Sequence, residues 1–316
     1  MEIVDPHHHL WHDRGMGEYL LADLHADTAM VPEIVQTVFV ECGSEYRTEG
    51  PAHLRPVGET EFVAAIAEAS ESAAGATIAG IVASTDLRLP PGVLDEVLDA
   101  HAVAAGGRFR GIRHALCRAT DDVRDSLMIP GRAPVALGAD PDFRRGVRRL
   151  GVRGLTYDTW HYHVQNREFL DLARAVPETT MVLDHFGTPL GVGPWAGRHD
   201  EIFATWTDDI RDLAGCPNVV LKLGGLAMPD NGFGWHVDES SRPDVATFVA
   251  AQRRWYDHAI ESFGPERCMF ESNFPVDKFS LDFATYWDAM RVIAEPYDVD
   301  EQHALFAGTA RRVYRL

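Results

Sequence analysis

Along the chain, short runs rich in β-branched and apolar residues alternate with longer segments whose apolar positions return at helical spacing. The short runs are "EIVD" (2–5), "IVQTVFVE" (34–41), "TIAGIVAS" (77–84), "RFRGIRH" (108–114), "VRGLTYD" (152–158), "TMVLDH" (180–185), "NVVLKLG" (218–224) and "RCMFESN" (267–273), eight in all. Their length and composition predict strands. Between them, segments such as "GETEFVAAIAEAS", "GVLDEVLDAHAVAA", "REFLDLARAV" and "DEIFATWTDDIRDLAG" predict amphipathic helices, the first connection being the least clearly helical. Strand–helix alternation repeated eight times implies a parallel sheet that closes into a (β/α)8 barrel, expected to form one domain over residues 1–316. The rival is a doubly wound open sheet. It would carry a glycine-rich phosphate loop after its first strand, where this chain has "DPHHHLW".

Two irregular stretches, "MIPGRAPVALGADP" and "GGLAMPDNGFGWHVDESSRP", follow strands four and seven. In a barrel such loops rise from the catalytic face and shape a substrate pocket.

Composition narrows the partners. Forty-six per cent hydrophobic and 24% charged residues over 316 positions suit a folded chain with a large core. A formal charge of −19 argues against nucleic acid and against an anionic membrane surface, both of which bind through clustered Lys and Arg. Four dispersed cysteines and the lack of a signal-like or long apolar segment lead us to expect a reduced, cytoplasmic setting. Self-association into a homo-oligomer is left open.

The strand ends carry the candidate chemistry. Residues two apart on a strand face the same way, so His7 and His9 would both look into the barrel mouth with His8 turned away. Two converging imidazoles suit a divalent metal of the zinc type. His185 ends strand six at the same rim, and strand eight brings Asn273, with Asp277 just beyond.

"DPHHHLW", "GIRH", "LDHFGTPLG" and "CMFESNFPVD" together resemble the amidohydrolase superfamily, in particular the amidohydrolase-related branch that includes sugar and dicarboxylate lactonases. The resemblance runs from Asp5 to the C-terminal "TARRVYRL". It implies a distorted TIM barrel with His7, His9 and His185 as metal ligands or polarising groups around one divalent ion, Zn²⁺ first and Mn²⁺ second, or around no metal at all. Many members carry Asp as general base where this chain has Asn273, and Asn cannot accept a proton at neutral pH. Asp277, the deeper Glu271 or a metal hydroxide are the substitutes. The strand-four rim has no lysine, so a binuclear centre is not expected.

Arg113 and His114 close strand four, Tyr157 strand five and Glu41 strand two, while Lys222 lies on strand seven. Arg113, Lys222 and Tyr157 are candidates to hold a substrate anion or an oxyanion; Glu41, His114, His161 and His163 are candidates to line the pocket. The bland alternative is that Arg113 and Lys222 pair with Glu41 or Asp184 in the interior, because buried charges need partners whatever the function. The leading reading is a hydrolase that opens a sugar-derived or anionic lactone or a similar carbonyl. The alternatives are a lyase, decarboxylating or hydrating an aromatic-derived acid, and a barrel that binds without turnover.

Overall fold

A computed structural model describes residues 1–13 and 15–316. Its eight strands are β1 (Ile3–His8), β2 (Ile34–Val40), β3 (Thr77–Ala83), β4 (Phe109–Arg113), β5 (Thr156–Thr159), β6 (Met181–Leu183), β7 (Val219–Leu223) and β8 (Cys268–Phe270). They pair in sequential order, every neighbouring pair parallel. The last strand returns to the first. A parallel bridge joins His8 to Phe274, His9 N–H donates to the Phe274 carbonyl at 2.9 Å, and Asn273 N–H donates to the His7 carbonyl at 3.1 Å. Sequential order with that return makes a nearly closed (β/α)8 barrel and excludes the doubly wound sheet.

Helices α1 (Leu21–Thr28), α2 (Val57–Ser72), α3 (Pro91–Ala104), α4 (Pro141–Val152), α5 (Asn166–Ala175), α6 (His199–Ala214), α7 (Val245–Phe263) and α8 (Phe283–Ala294) follow the strands in turn. Local signals set several starts. Asp140 accepts from the Asp142 and Phe143 amides ahead of α4, with Pro141 in its first turn, and Asp244 accepts from Thr247 N–H to cap α7. The chain ends in α9 (Val299–His303), a π-helical turn and α10 (Thr309–Tyr314). Among the described residues, no helix is long and apolar enough to cross a membrane.

Strand alternation divides the barrel interior into two layers. Val4, Val38, Val82, Val182, Val220 and Met269 fill its lower part, closed from below by Ala310, Val313 and Tyr314 of α10. Two residues further along the same strands the side chains turn ionisable: Asp184 follows Val182, Lys222 follows Val220 and Glu271 follows Met269, all fully buried. Strand β1 needs a correction to join this layer, since Val4 and His7 are three apart and would face opposite ways. The pairing of β1 with β2 shifts between Asp5 and His8, and that irregularity re-aims His7 inward.

Candidate active site

The floor of the barrel mouth is a cluster of histidines held by one carboxylate. His185 Nδ1 lies 2.7 Å from Glu271 Oε1, and His7 Nδ1 lies 2.7 Å from Glu271 Oε2. His185 sits in the left-handed region at φ 56°, as do the next three residues, where "HFGT" makes the turn out of β6. Gly225 faces this turn: a Cβ on it would come within 2.3 Å of His185 Nδ1, so a larger residue would displace the ring. His9 Nδ1 contacts the Val40 carbonyl at 2.7 Å, which places its proton there and leaves Nε2 unprotonated, an acceptor 3.3 Å from His7 Nε2. His8 turns away onto Thr37 Oγ1 at 3.1 Å.

Beneath lies a charged layer. Lys222 Nζ is 3.2 Å from Asp158 Oδ2, 3.2 Å from Asp184 Oδ1 and 3.2 Å from His7 Nδ1. Asp158 also accepts from Thr156 Oγ1 at 2.7 Å and from the Tyr314 hydroxyl, which ties α10 to the site. Arg113 Nε donates to Glu41 Oε1 at 2.8 Å, and its Nη1 makes two long approaches of 3.5 Å, to His7 Nε2 and Asp184 Oδ2. Burial pushes Asp184 up to about 6 and Glu271 up to about 8 against the pull of Lys222. Burial also holds His7 and His9 well below the usual imidazole range and His185 down at about 3, so all three are neutral at pH 7.

This donor set fits a divalent cation. His7, His185 and Glu271 offer ligand atoms within 4.8 Å of one another, a two-histidine, one-carboxylate set of the zinc type. Glu271 Oε2 and both Asp184 oxygens face His7, Lys222 and Arg113 as ion-pair contacts without a well-aligned hydrogen bond among the described residues, which leaves lone pairs for a cation. A dication here would draw the proton from buried Glu271, after which the four carboxylates of Glu41, Asp158, Asp184 and Glu271 face two cations, Arg113 and Lys222, an excess of two negative charges for that ion to balance. His9 stands outside the set and meets it at His7, Nε2 to Nε2 at 3.3 Å.

Above the floor opens a cavity of about 690 Å³, lined among others by His9, His185, Glu41, Arg113 and Asn273. Asn273, also left-handed at φ 55°, donates from Nδ2 to Asp277 Oδ1 at 3.0 Å. Asp277 is fully buried behind it, takes a second bond from Ala227 N–H at 3.3 Å and is pushed up to about 8 by burial. It is not among the lining residues, so its carboxyl reaches the cavity through Asn273.

Other residues named from the sequence lie elsewhere. Tyr157 points outward on β5, its hydroxyl on the His114 carbonyl at 2.9 Å and its ring edge-on to Phe143, because alternation turns Asp158 rather than Tyr157 inward. Lys222 is sealed below the floor. His114 accepts from Leu87 N–H at 3.2 Å, His161 Nε2 meets Asn166 Oδ1 at 3.1 Å and His163 accepts from Leu190 N–H at 3.2 Å, three loop-bracing contacts outside the cavity lining. From "TWHYH" it is Trp160 that lines the cavity. The sequence assigns no role to Asp5, which in the fold accepts from Ser272 N–H at 3.0 Å and from the Ser272 hydroxyl, joining β1 to the end of β8.

Comparison with known proteins adds to this geometry. Residues 4–316 match the family model described as Amidohydrolase. An uncharacterised protein of Sinorhizobium fredii, y4mH, is 32% identical over 99% of this chain and 98% of its own length. An L-fucono-1,5-lactonase of Burkholderia multivorans is 31% identical over 76% of this chain and 73% of its own. A crystal structure of an amidohydrolase from Burkholderia multivorans with bound zinc superposes with a TM-score of 0.76 at 26% identity, all of both chains being covered.

Proposed function

The chain belongs to the amidohydrolase family, and from that premise we propose that this hydrolytic enzyme opens lactone rings by water attack at the histidine floor of the barrel mouth. The observation that carries the proposal is the convergence of His7, His185 and Glu271 on one point below a cavity lined by His9, Arg113 and Asn273. The L-fucono-1,5-lactonase relative supports a lactone as the substrate.

His7, His185 and Glu271 would hold the divalent ion, zinc in the first place. Bound there, it supplies Lewis acidity toward a carbonyl oxygen and makes water a stronger acid. The remaining steps belong to the chain's own side chains. His9, neutral and with its proton fixed on Nδ1 by the Val40 carbonyl, offers Nε2 to take the proton that water loses as it attacks the lactone carbon. Arg113 Nη1, engaged only at 3.5 Å, donates to the oxyanion as the carbonyl becomes tetrahedral. Asn273, held by Asp277, orients the ring from the other side. When the intermediate collapses, the ring oxygen leaves and takes its proton back from His9. The product is an open hydroxy acid.

The lyase alternative needs an acid that reaches a substrate carbon from strand eight. Asn273 occupies that place and Asp277 stands behind it.

The test is proton release, followed with a pH indicator, from L-fucono-1,5-lactone and from unsaturated dicarboxylate lactones in the presence of Zn²⁺ or Mn²⁺. Acid release above that of His7→Ala supports the reading. Silence across this panel and across uncharged alkyl lactones such as γ-butyrolactone and its γ-hexyl homologue rejects it.

A further inference from the structure

The cavity is polar at its floor and apolar on its walls. Trp11 and Met16 enter from the loop after β1, Met128 and Ile129 from the loop after β4, Met228 from the loop after β7 and Phe279 from the loop after β8. Four loops thus turn carbon and sulfur toward the same space. Trp11 has already spent its polar handle, since its indole N–H donates to the Gly17 carbonyl at 2.8 Å, and it presents only its ring. Ile129 and Phe279 are 39% and 36% exposed, high values for large apolar side chains, and both face the mouth. Three methionines add unbranched, polarisable surface that adapts to an apolar guest.

The charge pattern agrees. Among the described lining residues the one cation is Arg113, already matched by Glu41 at 2.8 Å and Asp184 at 3.5 Å, which leaves no surplus positive charge for a carboxylated substrate. A polyol against these walls would strand hydroxyl groups without partners, the arrangement that a binding site discriminates against most strongly.

We infer that the substrate is an uncharged lactone whose ring carries an apolar arm, an alkyl chain or an aryl group, seated against the walls formed by Trp11, Met16, Met128, Ile129, Met228 and Phe279. The inference rests on the lactone reading above and specifies the part of the substrate that does not react.

Two matched pairs separate the two ideas. Calorimetry on the full chain compares an unsubstituted γ-lactam with its γ-hexyl derivative; both resist hydrolysis and report the walls alone. Proton release compares γ-butyrolactone with its γ-hexyl homologue, with L-fucono-1,5-lactone as the sugar reference. The hexyl lactam should bind at least about tenfold tighter than its parent, and kcat/KM should rise at least about tenfold with the hexyl arm. Ile129→Asn, on the exposed part of the wall, should remove most of both preferences. Equal binding of the two lactams, with turnover of the sugar lactone, overturns the apolar arm and leaves the lactonase standing. Tighter binding of the hexyl lactam with no lactone turned over upholds the apolar seat and overturns the lactone reading. Equal binding and no turnover overturn both.

Discussion

One carboxylate, Glu271, reaches His185: its Oε1 stands 2.7 Å from His185 Nδ1, and its other oxygen is equally close to His7 Nδ1. Two histidines, one on β1 and one just after β6, are therefore placed by a single acid on the loop leaving β8. Glu271→Gln keeps the shape but replaces one oxygen with an amide donor, so one histidine loses its acceptor. We expect zinc affinity and kcat each to fall by about 100-fold, with the circular dichroism spectrum unchanged. Wild-type kcat in this variant would reduce Glu271 to a packing element.

The excess of negative charge at the floor makes a second expectation. Chelator-treated protein should regain stability on addition of Zn²⁺, by about 2.7 kcal/mol when free metal reaches a hundredfold of its Kd, and should bind close to one equivalent. Calorimetric melting with and without metal reads this independently of any substrate. A Tm indifferent to zinc, manganese and chelator alike would remove the ion from the site.

Much of this arrangement was legible in the sequence, and the rest failed for identifiable reasons. All eight strands and their order could be read because each is a short apolar run bounded by turn residues, and His7, His9 and His185 could be placed at one rim. Glu271 was visible only as a residue deeper than Asn273; its role depends on His7, His185 and Lys222, which the chain keeps far apart and only barrel closure assembles. Tyr157 and Asp158 are adjacent letters that alternation sends to opposite faces, and a shift of one residue in the assumed strand phase exchanges them. The inward aim of His7 depends on an irregularity in β1 that strict alternation from Val4 does not reveal. The pairing of Arg113 with Glu41, and of Lys222 with Asp184, followed the rule that buried charge finds buried charge.

His101 allows a pH effect to be read away from the site. On α3, it is buried between Thr60 Oγ1 at 2.8 Å and the Ser84 carbonyl at 3.1 Å, and burial holds it down at about 4 against an ordinary value of 6.5. The unfolded chain therefore takes up a proton below about 6.5 that the folded chain refuses until about 4. Stability on this account is unaffected above that window and falls as pH drops through it, by about 3 kcal/mol in full. His101→Gln should melt with a shallower acid slope between the two values. An unchanged slope would mean that His101 carries no linkage.

Asn273 and Asp277 yield the most discriminating substitution. Asn273→Asp installs the residue type that the family resemblance implies as a base, yet here it sets a second carboxyl against Asp277, whose Oδ1 now accepts from the Asn273 amide at 3.0 Å. Two facing carboxyls can share one proton but resist losing the last one, so the folded-state value of the pair is raised beyond the value of about 8 already imposed on Asp277 by burial. A raised folded value means that stability is complete below the ordinary carboxylate range and is lost as pH climbs toward the folded one. The single variant should thus melt progressively earlier than wild type from about pH 5 to about pH 9, and it should not gain rate. The double variant Asn273→Asp/Asp277→Asn reverses the polarity: the new amide can donate to the new carboxylate while its oxygen accepts from Ala227 N–H, which now binds Asp277 Oδ2 at 3.3 Å. Its melting temperature should lose the steep pH dependence of the single variant. If the single variant instead matches wild type at every pH, the Asn273–Asp277 contact does not govern this side of the cavity; if the double variant also exceeds wild type in kcat, a carboxylate at position 273 can serve as the base here.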